Sequence, residues 1–294
     1  MWAVALVLGL GQKGPADGEL TRLRAETVIV LNAFRNRLGL EPALPDDRLD
    51  DAAQAHAGYL DVSGTISHKE EPGGTGFLGA TPRDRARQKG FVKALGEVVT
   101  PISGRGSEAY QSGLVRLMLQ PYHRMPLFSP GAMVTGAGLG QKFMVLDYSP
   151  GKPKAPPPRP IVFPFDGQEG VPPTVQVNEL PDPLRIHPGA SKLVGMPITV
   201  QYFGLPTFQF VSARLTNRKG EEVKLLINHP GNDTELTSEV ICIPSAPLSP
   251  KTDYFFELNA KTADQSQNTI RVTFTTGSPD DSWTVFALSP RKGG

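Results

Sequence analysis

The chain has a single cysteine, Cys242, among 294 residues. No disulfide can form within it, which excludes the usual staple of small secreted domains. Cys242 stands in the apolar run "SEVICIPSAP", where a buried small hydrophobe is expected rather than a reactive thiol. Excess charge of either sign is also missing: 30 Lys and Arg against 29 Asp and Glu leave +1. With no field to draw in nucleic acid or an anionic membrane, neither is expected as a partner. Long hydrophobic runs are missing as well. The stretch from Trp2 to Leu10 falls far short of the ~20 residues that span a bilayer, so no membrane span is expected. It reads as the hydrophobic region of a secretion signal, although no Lys or Arg precedes it, and a secreted or cell-surface location follows as the expectation.

Proline and glycine are abundant, at 29 and 31 residues, which implies many turns and loops rather than long helices. The length suits two domains. The tract "GKPKAPPPRP", Gly151 to Pro160, admits neither helix nor interior strand and reads as a semi-rigid spacer. Helical periodicity precedes it and strand alternation follows. The expected division is a signal-like segment over 1–20, a helical and sheet domain over 21–150, the linker over 151–160, a β-sandwich over 161–277 and a tail over 278–294. Trp283, Val285 and Phe286 could pack that tail on the sandwich.

In the first part, Leu23, Val30, Leu31, Phe34 and Leu38 repeat at helical spacing until Gly39. A second helix starts after Asp46 or Asp47 and carries Leu49, Ala52, Ala53, His56 and Leu60 on one face. "TPRDRARQKG" predicts a third, with Thr81 as N-cap, Pro82 at the first position and Gly90 past the end. A fourth starts at Ser107 or Glu108 and stops at Pro121. Strands are expected around "AMVTGAGLG" and "KFMVLDYS", which makes the domain α+β, with helices flanking a small antiparallel sheet. In the second part seven short candidate strands, from "TVQVNEL" to "TIRVTFTT", predict an immunoglobulin-type sandwich, with Tyr254 placed for a tyrosine corner.

Five histidines and an isolated glutamate carry the available chemistry. His56 shares its face with Leu49, Ala53 and Leu60 and reads as a hydrogen-bonded core residue. His68 sits at a helix-to-loop junction, where its ring can point into a cleft. His123 is placed just past a helix C-terminus, where the dipole favours an imidazolium and gives a purely structural explanation. Glu97, entering a Val-Val run, is expected to be partly buried and to need a partner. His187 and His229 read as solvated loop residues. The Gly-rich "GTGFLGA", Gly74 to Ala80, does not join a strand to a helix, so it reads as a flexible loop near the cleft rather than a phosphate cradle.

Taken in order, "VLNAFRNRLGLEPALPDDRLDDAAQAHAGYL", "SHKEE", "TPRDRARQKGF", "LGEVV" and "LVRLMLQPYHRMPLFSPGAMVTGAGLG" resemble the bacterial branch of the CAP superfamily, the SCP domain of cysteine-rich secretory proteins, antigen five and plant pathogenesis-related proteins. The resemblance covers roughly residues 25 to 149. It implies an α-β-α sandwich around a cleft lined by histidines and acidic residues, which in some relatives binds a divalent metal. His68 matches the first family histidine, Glu97 the acidic residue of the "GEN" motif, written here "GEV", and His123 the histidine of the "HR" motif. The family's second glutamate is missing, because Leu117, Met118, Leu119 and Gln120 occupy its turn. The second half resembles bacterial immunoglobulin-like domains found beside such modules.

His68, His123 and Glu97 are therefore the candidate catalytic and metal-ligating residues, a set that a divalent ion such as zinc accepts with water. With the fourth group missing, weak binding is expected rather than an obligate metal. No Ser-His-Asp or His-Glu-x-x-His spacing supplies a nucleophile or activated water. A ligand-binding or envelope-interaction module for lipid, peptide or envelope polymer, with the sandwich as spacer or adhesion domain, ranks first. The alternatives are a metal-assisted hydrolase or peptidase, and a structural envelope protein with a vestigial cleft.

Overall fold

The computed structural model describes residues 17–203, 208–262 and 266–279. The apolar run from Trp2 to Leu10, expected to be a secretion signal, and the tail residues Trp283, Val285 and Phe286 lie outside them. Among the described residues no helix is long and apolar enough to cross a membrane.

The first domain runs α1 (Asp17–Arg37), β1 (Ala43–Pro45), α2 (Asp47–Ser63), α3 (Pro82–Gln88), β2 (Gly96–Pro101), α4 (Ser107–Leu119), α5 (Pro121–Leu127), β3 (Met133–Leu139) and β4 (Phe143–Ser149). Its boundaries follow local chemistry. The Asp46 side chain caps α2, and Thr81 with Asp84 closes a capping box on α3, each satisfying backbone N–H groups that a helix start leaves bare. Gly39 and Gly64, both at φ 70°, end α1 and α2 in the left-handed conformation.

The sheet has the order β1-β3-β4-β2. Its strands send alternate residues to opposite faces. Val98, Met144 and Leu146 pack with Leu31 of α1 and Leu114 of α4, while Val99, Phe143 and Val145 pack with Ala53 and Leu60 of α2. Helices thus cover both faces, giving the expected α-β-α layers. Fully burying side chains of this kind contributes roughly 1.5–3 kcal/mol each.

Two glycines set the spacing between α2 and the sheet. A Cβ on Gly136 would lie 2.2 Å from Asp50 N, and one on Gly138 would lie 2.0 Å from Ala53 O. Alternate residues of β3 must therefore lack side chains for α2 to come this close.

The second domain contains β5 (Ile161–Phe163), β6 (Gln168–Val171), β7 (Val175–Gln176), β8 (Leu193–Val194), β9 (Ile198–Gln201), β10 (Phe208–Asn217), β11 (Leu225–Asn228), β12 (Glu239–Pro244), β13 (Asp253–Thr262) and β14 (Gln267–Thr276). Two four-stranded sheets, β10-β13-β14-β6 and β11-β12-β9-β5, bury their apolar residues in one cluster. All seven expected strands are present, and β5, β6 and β8 are additional short ones. Tyr254 Oη accepts the Ser249 N–H at 2.8 Å, the backbone tether expected of a tyrosine corner. Cys242 is fully buried on β12, and burial pushes its thiol pKa up.

Two expectations change. "TVQVNEL" forms a strand only at Val175–Gln176, because beyond it the Asn178 N–H donates to the Gln120 side chain and the Glu179 side chain accepts the Tyr122 and His123 N–H groups of the first domain. The tract from Gly151 to Pro160 has no regular structure, but it does not hold the domains apart. Phe163 of β5 packs 6.2 Å from the Phe34 ring and 5.3 Å from the Phe128 ring, with the Arg124 guanidinium 4.9 Å above it. The buried Arg124 also donates to Thr199 Oγ1 and the Pro197 carbonyl of the second domain and to Met118 O and Leu119 O of its own. Burial lowers its pKa to about 9, which leaves it charged at neutral pH.

Candidate functional site

After Gly64 turns the chain at the end of α2, residues 65 to 70 fold back beneath that helix. Glu70 returns fully buried and lies 2.9 Å from His56 Nδ1, while His56 Nε2 lies 2.8 Å from the Ser67 carbonyl. His56 is thus the satisfied core histidine expected. The Gly-rich loop does not border a cleft: its Leu78 and Gly79 N–H groups donate to Glu70 Oε2, so it encloses that carboxylate.

His68 emerges from the same fold-back with its side chain 52% exposed. Its Nδ1 lies 2.8 Å from Glu97 Oε1, and the other Glu97 oxygen accepts from Arg85 Nη2 at 2.6 Å. Arg85 is fully buried and also donates to the His68 carbonyl. Burial alone would raise the Glu97 pKa, but His68, Arg85 and the nearby His56 together hold it below the ordinary glutamate value. The carboxylate therefore stays ionised behind the ring and fixes its orientation. Among the described residues, His68 Nε2 has no protein partner.

Directly across the β2–β4 ladder, Glu97 faces Asp147. Asp147 is fully buried, and no donor satisfies its carboxyl oxygens. Burial and the Glu97 charge push its pKa well above the ordinary value. Two such carboxyls repel when both ionise, and the environment disfavours ionisation at Asp147 while favouring it at Glu97. The signal was present in "FMVLDYS": an acid at an inward position of an apolar strand.

His123 corrects an expectation. Pro121 ends α4 and also starts α5, its fixed φ suiting the first helical position. His123 thus lies in the first turn of a new helix rather than past the end of one, so the C-terminal placement expected for it does not hold. Its backbone N–H and that of Tyr122 donate to Glu179 of the second domain at 3.1 and 3.3 Å. The ring follows, with Nδ1 3.0 Å from Glu179 Oε2 but out of line for a hydrogen bond. Gln120 secures the same segment, donating to Gln176 O and accepting the Asn178 N–H. The turn that lacks the family's second glutamate is therefore met by a carboxylate from the other domain. No local pattern around "QVNEL" announces this role.

His68 and His123 border one cleft of about 250 Å³. Val99, Pro101 and Leu117 form apolar wall, Ile66 stands at the first-domain side, and Asn178, Glu179 and Leu180 close the side belonging to the second domain. Glu97 is not on the lining and lies behind His68. Both of its oxygens are committed, Glu179 is bonded to backbone, and among the described residues no group of three His, Cys, Asp or Glu side chains is placed to hold a metal ion. The donor set does not fit a resident divalent metal. The other histidines are elsewhere and half-buried rather than freely solvated: His187 Nε2 lies 2.9 Å from Asn228 Oδ1, and His229 stacks on Phe210.

Residues 28–139 match the family described as CAP, the cysteine-rich secretory protein family. No curated protein matches the chain. Among solved structures it is similar to an extracellular protein containing a SCP domain from Bacillus anthracis, at 18% identity over 47% of this chain and 45% of that one, with TM-score 0.38. It is also similar to an outer surface protein of Borrelia burgdorferi, at 19% identity over 49% of this chain and 100% of that one, TM-score 0.35. CopC from Methylosinus trichosporium is a third, at 8% identity over 42% of this chain and 97% of that one, TM-score 0.28. The chain thus spans less than half the length of the Bacillus protein.

Proposed function

Because residues 28–139 form a CAP domain, we propose that the protein is an exported ligand-binding module whose cleft is built by both domains. The observation carrying this reading is the placement of His68 and His123 on one cleft of about 250 Å³ beside apolar wall, with Asn178 to Leu180 of the second domain completing it. Imidazoles offer directional polar contact and the apolar wall offers area, the combination that small-ligand sites use. Export rests on the secretory character of the family and on the apolar run from Trp2 to Leu10. The second domain, an immunoglobulin-like sandwich in this reading, acts as part of the site rather than as a spacer.

A hydrolase reading keeps one specific support, since Glu97 fixes His68 through Nδ1 and leaves Nε2 toward the cleft, the orientation of a general base. Among the described residues no hydroxyl or thiol hydrogen-bonds to His68 Nε2. Binding is therefore the favoured function. Imidazole NMR of the full chain against a library of small polar and apolar fragments tests it. Compounds that shift the His68 and His123 ring signals together support the reading; a library that moves neither ring would remove it.

A further inference from the structure

We propose that the cleft receives the carboxyl terminus of a peptide ending in an apolar residue. This rests on the reading of the cleft as a ligand site and narrows it to one chemical class. Three observations carry it.

The first is charge. Arg116, on the exposed side of α4, borders the cleft and has no ion pair or hydrogen bond among the described residues. Among the described residues lining the cleft the one carboxylate, Glu179, is buried against the α5 backbone, and Glu97 lies behind His68. The charge presented to a ligand is therefore positive, and a guanidinium pairs best with a carboxylate through two parallel N–H bonds.

The second is apolar area at the mouth. Ile66 is 47% exposed and Leu180 is 79% exposed, one from each domain. Both line the cleft, whose floor is formed by the buried Val99 and Leu117. Exposed apolar side chains on opposite sides of a cavity provide a place for one apolar group between them. A volume of about 250 Å³ holds on the order of ten heavy atoms, the size of a single amino-acid residue.

The third is the polar rim. The Asn178 side-chain amide has no partner among the described residues, and His68 Nε2 is likewise open. Together they offer a donor and an acceptor to a peptide amide, which a free aliphatic acid cannot use. A peptide terminus satisfies the guanidinium, the apolar walls and these rim groups at once.

Calorimetry on the full chain with an acetylated tripeptide ending in leucine, its C-terminal amide and hexanoate tests the proposal. The free-acid peptide is expected to bind at least tenfold more tightly than either other compound. Arg116→Gln should remove that preference, and Leu180→Asp should weaken the peptide at least tenfold; both side chains are exposed, so the fold is retained. Equal binding of the amide, or an unchanged affinity in Arg116→Gln, would overturn carboxylate recognition. Hexanoate binding as tightly as the peptide would overturn the peptide and leave a free acid as the ligand. If no carboxylate binds while other fragments still move the His68 and His123 signals, the class is wrong and the cleft reading stands; if nothing moves them, both fall.

Discussion

Asp147 and Glu97 face each other across one ladder, yet their environments drive their protons in opposite directions. Glu97 has a depressed folded pKa, so its stabilising contribution is complete above the ordinary glutamate range and is lost as pH falls through the lower folded value. Asp147 has a raised one. Its folded form keeps a proton that the unfolded chain gives up, so stability declines as pH rises from the ordinary aspartate range toward the raised value. Asp147→Asn removes that opposing contribution, because the amide stays neutral at every pH. The variant should be more stable than wild type in urea at pH 7, and the difference should vanish near pH 4. A variant less stable at pH 7 would show Asp147 to be ionised. Glu97→Gln should cost about 1.5–3 kcal/mol in the same assay, because it removes the charge-assisted hydrogen bond to the buried Arg85, whose other carboxylate neighbour, Glu70, remains.

The predicted helices reflect signals that act locally. Thr81, Pro82 and Gly90 bound α3 as expected, and the apolar stripe of α2 is buried from Leu49 to Leu60. Where an element depends on partners distant in sequence, local reading falls short. The α5 helix begins at the proline taken as a stop, since Pro ends one helix and starts another with equal ease. Its first turn is held by Glu179, 56 residues away from His123. Glu179→Ala should therefore shift the His123 ring signals in NMR and lower stability by about 1 kcal/mol, the usual cost of losing a helix cap. At the sheet, Gly138→Ala forces a methyl against the Ala53 carbonyl and should lower stability by about 1–3 kcal/mol or more, as overpacking does. Thermal melting would detect it.

On the scale of the whole molecule, the two domains share an interface of buried arginine, stacked rings and cross-domain hydrogen bonds. Gln201 Nε2, for instance, donates to the Met125 carbonyl at 3.0 Å. The wild-type chain should unfold in one calorimetric transition. Arg124→Ala, which strips the charge and the Phe163 contact together, should separate the transition into two and lower the first. A single unchanged transition in that variant would show the domains to be coupled through other contacts.

The residues themselves determined the layered first domain, the seven strands of the second, the satisfied burial of His56 and the candidacy of His68 and His123. Each of those follows from spacing, capping and period, which are properties of neighbouring residues. Only the tertiary structure decided that Glu97 stands behind His68 instead of in the cleft, that burial and the Glu97 charge raise the Asp147 pKa, and that Glu179 meets His123 from the other domain. Those outcomes depend on burial and on contacts across strands and domains. A carboxylate's ionisation is set by what lies within a few ångströms of it, not by what precedes it in the chain.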